Sequence, residues 1–179
     1  MLGVERYKVS LSPHDEDWVR EFQITKDELA AIHGDNIIAT HHVGSTAIKG
    51  IVAKPILDVA MVVKSVGALN ITGMEAAGYE YRGEQGVPGR HLFVKRRDGL
   101  FSTHHIHCYP ENHDNFISVL LFCKYLNEYP EYAKQYSDLK VELAAKYADD
   151  RETYSDGKQA FIKKIINLAH HHFFGGTTP

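Results

Sequence analysis

Residues 56–63 read Ile-Leu-Asp-Val-Ala-Met-Val-Val. A run this apolar and β-branched, too short to cross a bilayer, predicts a strand buried inside a sheet. Asp58 interrupts it. A carboxylate there is costly unless a metal ion, a cation or hydrogen-bond donors meet it. Upstream, residues 37–43 predict a second central strand, and Gly44-Ser45-Thr46 predict a tight corner after it. Gly44 removes the Cβ where the backbone must bend sharply or let a ligand approach. A helix starting at Ser45 would point free N–H groups, and the positive end of its dipole, at an anion outside the strand ends. The expectation is an anion cradle of Gly44, Ser45 and Thr46 placed shortly before a carboxylate.

The rest of the chain supplies layers for such a sheet. Residues 4–11 read as an edge strand or extended arm. A helix over 14–33 is expected to open at Ser12 and Pro13, with Trp18, Phe22, Leu29 and Ile32 on its apolar side. A short helix over 66–77 and a strand over 79–82 follow. A loop at 83–89 carries three glycines, and strands over 91–96 and 102–109 are joined by the turn Arg97-Asp98-Gly99. From Glu111 onward the periodicity becomes helical, in three segments marked by Phe116 to Leu126, Tyr132 to Tyr147 and Phe161 to Ala169. The expected fold class is α+β, or α/β in a loose classification. One domain spans 1–179, with a mixed sheet over about 1–110 and a helical pack over about 111–174 walling a cleft.

On the 102–109 strand, His105 and His107 share one face while His104 and Ile106 take the other. Two imidazoles at that spacing, with an oxygen from Asp58 on a neighbouring strand, make a divalent-metal site. Lys54, Arg90 and Lys95 are candidates to neutralise phosphate. Each has a plainer reading. Gly44-Ser45 is then a turn, Asp58 a buried partner of Lys54 or Arg90, the histidines polar residues on a half-exposed sheet, and the cations solvated charges. Tyr136 and Lys140 lie one helical turn apart, facing either the cleft or the core.

Charge narrows the partners. A net charge of −3 gives no electrostatic case for nucleic acid or an anionic membrane. Two widely spaced cysteines, Cys108 and Cys123, read as packing residues in a reducing, cytoplasmic setting, and no basic apolar leader opens the sequence. The run His170-His171-His172 reads as a helix end rather than a metal site.

The stretch Gly44-Ser45-Thr46-Ala47, then Ala53-Lys54-Pro55-Ile56, then Asp58, resembles the GrpB (UPF0157) family. The same order continues through Gly78-Tyr79, Pro88-Gly89-Arg90, His105-Ile106-His107, Tyr125-Leu126, Tyr129-Pro130, Tyr136-Ser137-Asp138-Leu139-Lys140, Tyr154 and Lys158. There are two departures: Lys49 stands where the family usually has proline, and Phe122-Cys123-Lys124-Tyr125 where it has Phe-Arg-Asp-Tyr. That family is similar to the nucleotidyltransferases, in which Gly-Ser, a short helix and a strand bearing Asp-x-Asp hold a metal and a triphosphate. The resemblance implies a nucleotidyltransferase-like fold and an NTP or CoA-type ligand held by Gly44, Ser45, Thr46, Lys54, Arg90 and Lys95. It implies catalytic roles for Asp58 and His107, and Mg²⁺, Mn²⁺ or Zn²⁺ on Asp58, His105 and His107. The x+2 position is Ala60, which is no ligand, and imidazole suits Zn²⁺ or Mn²⁺ better than Mg²⁺. The activity it implies is transfer of a nucleotidyl group to an acceptor. Two alternatives stand beside it: a non-catalytic nucleotide- or CoA-binding module, accessory to another enzyme as in family domains joined to dephospho-CoA kinase, and a His/Asp metal-dependent hydrolase. The expected partner is a phosphorylated small molecule; the oligomeric state is not readable from the sequence.

Overall fold

The computed structural model describes residues 1–175; the end of the expected 1–179 domain, residues 176–179, lies outside the described residues. Five strands, β2 (Ile37–Val43), β3 (Leu57–Val63), β4 (Tyr79–Tyr81), β5 (His91–Arg97) and β6 (Phe101–Pro110), form a sheet in the order β2-β3-β6-β5-β4. A short β1 (Val4–Glu5) adds to β6. The central pair β3 and β6 is parallel, and the pairs β2–β3, β5–β6 and β4–β5 are antiparallel. The apolar run therefore sits mid-sheet, as its composition requires.

Side-chain alternation decides what each face meets. On one face Leu57, Val59, Met61 and Val63 join Phe93, Ile106 and Cys108 under α1 (Asp17–His33) and α2 (Ile71–Ala76), which contribute Leu29 and Met74. The opposite face carries Asp58 and Ala60 on β3, and His105, His107 and Tyr109 on β6. There Val43, Ala60 and Tyr109 pack beneath α3 (Asp114–Glu128), α4 (Pro130–Lys146) and α6 (Gln159–Phe174) through Leu121, Leu126, Tyr136 and Ile165. Full burial of each such aliphatic side chain contributes about 1.5–3 kcal/mol, so helices on both faces hold the sheet. The second face is apolar under the helical pack and polar at Asp58, His105 and His107, where a cleft remains.

Three local expectations are corrected. Helix α1 begins at Asp17 rather than residue 14, because Ser12 pairs with Ala53 in a short bridge and Asp15 accepts from the Asp17 amide. The 66–77 helix divides into a 3-10 turn, Val66–Ala68, and α2, which Asn70 caps by accepting from the Gly73 amide at 2.9 Å. The C-terminal region contains a fourth helix, α5 (Arg151–Asp156), capped by Asp150. It is too short to show periodicity in the sequence. Among the described residues no helix is long and apolar enough to cross a membrane.

Candidate functional site

The parallel register places Asp58 directly beside His105, with His107 two residues along the same face. Asp58 Oδ1 lies 3.1 Å from His105 Nδ1 and 3.3 Å from His107 Nε2. One ligand atom from each of the three lies within 4.8 Å of the others. The Asp58 side chain is 29% exposed and each imidazole 19%, so the group is reachable from the cleft. Arg90 Nη1 sits 3.4 Å from His107 Nδ1. A guanidinium only donates, so Nδ1 accepts and the Nε2–H points at Asp58. Burial pushes the Asp58 carboxyl up, but the hydrogen bonds from His105 and His107 together outweigh it and leave it ionised, well below the usual carboxylate range. Burial pushes the His105 imidazole down, against the pull of Asp58. The plainer reading of Asp58, a buried partner of Lys54 or Arg90, gives way to contacts with these two histidines.

The corner before them works differently from expectation. Ser45–Ala47 is a single 3-10 turn, so this corner presents no helix dipole to the cleft. Gly44 adopts φ 71° and ψ −171°, and a Cβ there would lie 2.6 Å from Asp58 Oδ2. The glycine makes room for the carboxylate. Ser45 lines the cleft beside it, whereas Thr46 turns inward, 1% exposed. Thr46 Oγ1 donates to the Ile56 carbonyl at 3.5 Å and lies 2.9 Å from His42 Nε2. Thr46 therefore braces the corner and does not reach a ligand.

His42, stacked on Phe22 at 5.2 Å, is pushed down to about 4 by burial. Its folded pKa lies below the unfolded value, so its contribution is intact above pH ~6.5 and is lost as pH falls toward 4. A loss of about 3 kcal/mol from His42 is expected over that window. Urea unfolding at pH 7 and pH 4.5 checks it: His42→Gln should show a visibly shallower loss than the unmodified chain, and equal slopes would refute the assignment.

Around the three residues opens a cleft of about 440 Å³. Lys54 and Arg90 both line it. Arg90 also donates to the carbonyls of Glu84 and Gln85, at 2.8 and 3.0 Å, and so holds the glycine-rich loop against the site. Lys95 is placed elsewhere. It pairs with His104 on the other face, donates to Glu28 at 3.1 Å and lies 4.6 Å from the Tyr79 ring. Its expected phosphate contact is corrected, because strand alternation turns it toward α1.

Arg151, Tyr154, Ser155 and Lys158 complete the helical wall. The order Tyr154…Lys158 was visible as part of the resemblance; nothing in the sequence marked Arg151. Val119, Phe122, Ile162 and Ile166 make the other wall apolar. The loop between Gly44 and Ile56 is clamped from outside. Lys49 N donates to Asn127 Oδ1 at 3.0 Å, a bond proline at that position would lack, and Val52 N donates to Ser137 Oγ at 3.1 Å. Lys140 Nζ donates to the Val52 carbonyl. Tyr136 lines the cleft edge while Lys140 is buried behind it. Cys108 and Cys123 are buried free thiols.

A family model described as GrpB protein matches residues 8–168. UPF0157 protein YqkA of Bacillus subtilis is 39% identical over 158 residues, covering 87% of this chain and 46% of YqkA; the chain thus spans about half of that relative. Glutamate-rich protein GrpB of Alkalihalophilus pseudofirmus is 37% identical over 172 residues, covering 93% of this chain and 99% of its own length. The crystal structure of conserved protein GrpB from Enterococcus faecalis superposes with a TM-score of 0.86 at 33% identity, over 92% of this chain and 99% of that one. Cid1 poly(U) polymerase bound to MgATP superposes with a TM-score of 0.51 at 13% identity, over 75% of this chain and 44% of that one, a likeness of fold.

Proposed function

This chain belongs to the GrpB family and has a nucleotidyltransferase-like fold, and we propose that its cleft binds a nucleotide or another phosphorylated small molecule beside a divalent ion, for transfer of a nucleotidyl group to an acceptor. The observation that carries this reading is the convergence of one carboxylate and two imidazoles within 4.8 Å at the base of a cleft rimmed by cations. The donor set fits an ion that accepts nitrogen, such as Zn²⁺ or Mn²⁺. It fits Mg²⁺ poorly, because Ala60 occupies the place of a second carboxylate and is fully buried. When bound, such an ion would polarise a phosphoryl oxygen and lower the pKa of an attacking hydroxyl or water.

The protein's own part is positioning and charge. Gly44 leaves the carboxylate space, Ser45 adds a polar group beside it, and Lys54 and Arg90 offset phosphate charge. Cid1, with the same fold, is a poly(U) polymerase seen with MgATP; that supports a nucleotide by analogy of fold, which does not itself fix function. Isothermal titration with ATP and with CoA, in zinc, manganese or magnesium, tests the reading, followed by an assay for transfer from α-labelled NTP. Binding that depends on zinc or manganese, with label appearing in an acceptor, is expected; absence of NTP binding under every metal removes it.

One observation favours a second reading, a binding module without metal chemistry. The contact from Arg90 sets the His107 proton on Nε2, and in that state both imidazoles satisfy Asp58 without an ion. This reading expects ligand affinity that persists in chelator and no turnover.

A further inference from the structure

Among the described residues, all but three of the half-buried cations have acceptors: Arg90 donates to the Glu84 and Gln85 carbonyls, and the rest meet carboxylates. Lys95 meets Glu28 at 3.1 Å, Arg82 meets Glu80 at 2.5 Å, and Arg96 meets the same Glu80. Three cations in the cleft break the pattern. Lys54, Arg151 and Lys158 are half-buried and line the same cleft, Lys54 and Lys158 against the one Tyr154 ring. Among the described residues, none of their side chains has a hydrogen-bond acceptor or an ion-pair partner. Asp58 is the one carboxylate in the lining, and it is engaged by His105 and His107. The ammonium groups of Lys54 and Lys158 lie 5.2 and 4.4 Å from the Tyr154 ring, which offsets only a fraction of their charge.

Holding like charges together without acceptors is unfavourable. Burial is the main cause and the neighbouring cations add to it: together they push Lys54 down to about 7, and burial, with Arg151 adding, pushes Lys158 down to about 8. Lys140, buried behind them, is pushed down to about 7 in the same way. An arrangement of this kind is stable when an anion from outside supplies the missing acceptors.

The geometry points to a phosphoryl subsite formed by Lys54 of the corner loop with Arg151 and Lys158 of the helical wall, for a phosphomonoester dianion or a diphosphate. It deepens the cleft reading above and rests on it. Three donors of this charge exceed what a single carboxylate would balance, and the planar fork of Arg151 suits two oxygens of one phosphoryl group.

The test uses the full chain in chelator, so that metal binding at Asp58 plays no part. Inorganic pyrophosphate and inorganic phosphate are titrated calorimetrically. Saturable binding is expected, weakened about ten- to hundredfold in Lys158→Gln and in Arg151→Gln, the range for one charge-assisted hydrogen bond. Tighter pyrophosphate than phosphate identifies a diphosphate; the reverse identifies a monoester. Without anion, both variants should melt at the same temperature as the unmodified chain or higher, since an unpaired charge has gone. A lower melting temperature with unchanged pyrophosphate binding would make the cations structural and overturn the subsite.

A covalent probe adds a second readout. The neutral amine of Lys54 or Lys158 condenses with the aldehyde of pyridoxal phosphate, losing water, and borohydride reduces the imine to a stable secondary amine. Peptide mass spectrometry should place the label on Lys54 or Lys158, blocked by pyrophosphate and absent with pyridoxal. Equal labelling by pyridoxal overturns the subsite. Absence of pyrophosphate binding in the unmodified chain overturns it too, and leaves the metal reading to stand or fall on metal retention and NTP binding.

Discussion

Asp58→Asn should lower affinity for zinc or manganese by more than about 100-fold, beyond the loss typical of a residue that merely supports a ligand. The carboxylate is the one anionic donor among the three residues that converge within 4.8 Å. Asparagine keeps its shape and volume but removes its charge, leaving two imidazoles, one of them held by Arg90. Metal content of tag-free protein after dialysis reads the effect. His107→Ala should behave likewise, and His171→Ala, in the last turn of α6 and outside the cleft lining, should not; the opposite pattern ends the metal reading.

The same substitution reports on stability without metal. Asparagine weakens the acceptor for two imidazoles, at a cost of about 1–3 kcal/mol. Because the folded-state pKa of Asp58 is depressed, its contribution is present above the ordinary carboxylate range and lost as pH falls below it. The stability gap between the unmodified chain and Asp58→Asn should therefore close in acid. A gap that stays constant from pH 7 to pH 3 would mean that ionisation of Asp58 contributes nothing.

Gly44→Ala should destabilise the protein by about 3–5 kcal/mol, combining backbone strain with a core clash. At φ 71° and ψ −171° an L-residue is strained, and the added Cβ would meet Asp58 Oδ2 at 2.6 Å and Asp58 Cβ at 2.9 Å. The carboxylate would have to move away from His105 and His107. Metal and ligand binding should fall together with stability. Gly50→Ala supplies the control. Its φ is also 71°, but nothing lies within 4 Å of a Cβ there, so it carries strain alone, about 1–2 kcal/mol. Comparable losses in the two variants, measured by urea unfolding, would show that the space beside Asp58 is not what selects glycine.

Much of the candidate site is legible in the amino-acid sequence. Asp58 stood out because a carboxylate is foreign to an apolar strand, and His105 and His107 had to share a face because side chains alternate. The parallel pairing then brought all three together. Other residues were misread for identifiable reasons. Thr46 follows a glycine corner that looked like a helix start, yet its hydroxyl is taken up by His42 and the Ile56 carbonyl. Lys95 was one of several cations along the strands, and only the register shows that it faces Glu28. Arg151 sits on a helix too short to announce itself.

The amino-acid order determined what local geometry can express: a strand buried by its own apolar side chains, the face on which each histidine lies, and the amphipathic helices that cover the sheet. Those follow from backbone dihedrals and the two periodicities they impose. Tertiary structure decided the rest: that β3 runs parallel to β6 with Asp58 beside His105, that Gly44 is there to admit a carboxylate, and that Lys54 shares one cleft with Arg151 and Lys158 from the far end of the chain. These encounters join segments distant in sequence. They are set by the summed packing of all the layers, which no single stretch of residues encodes.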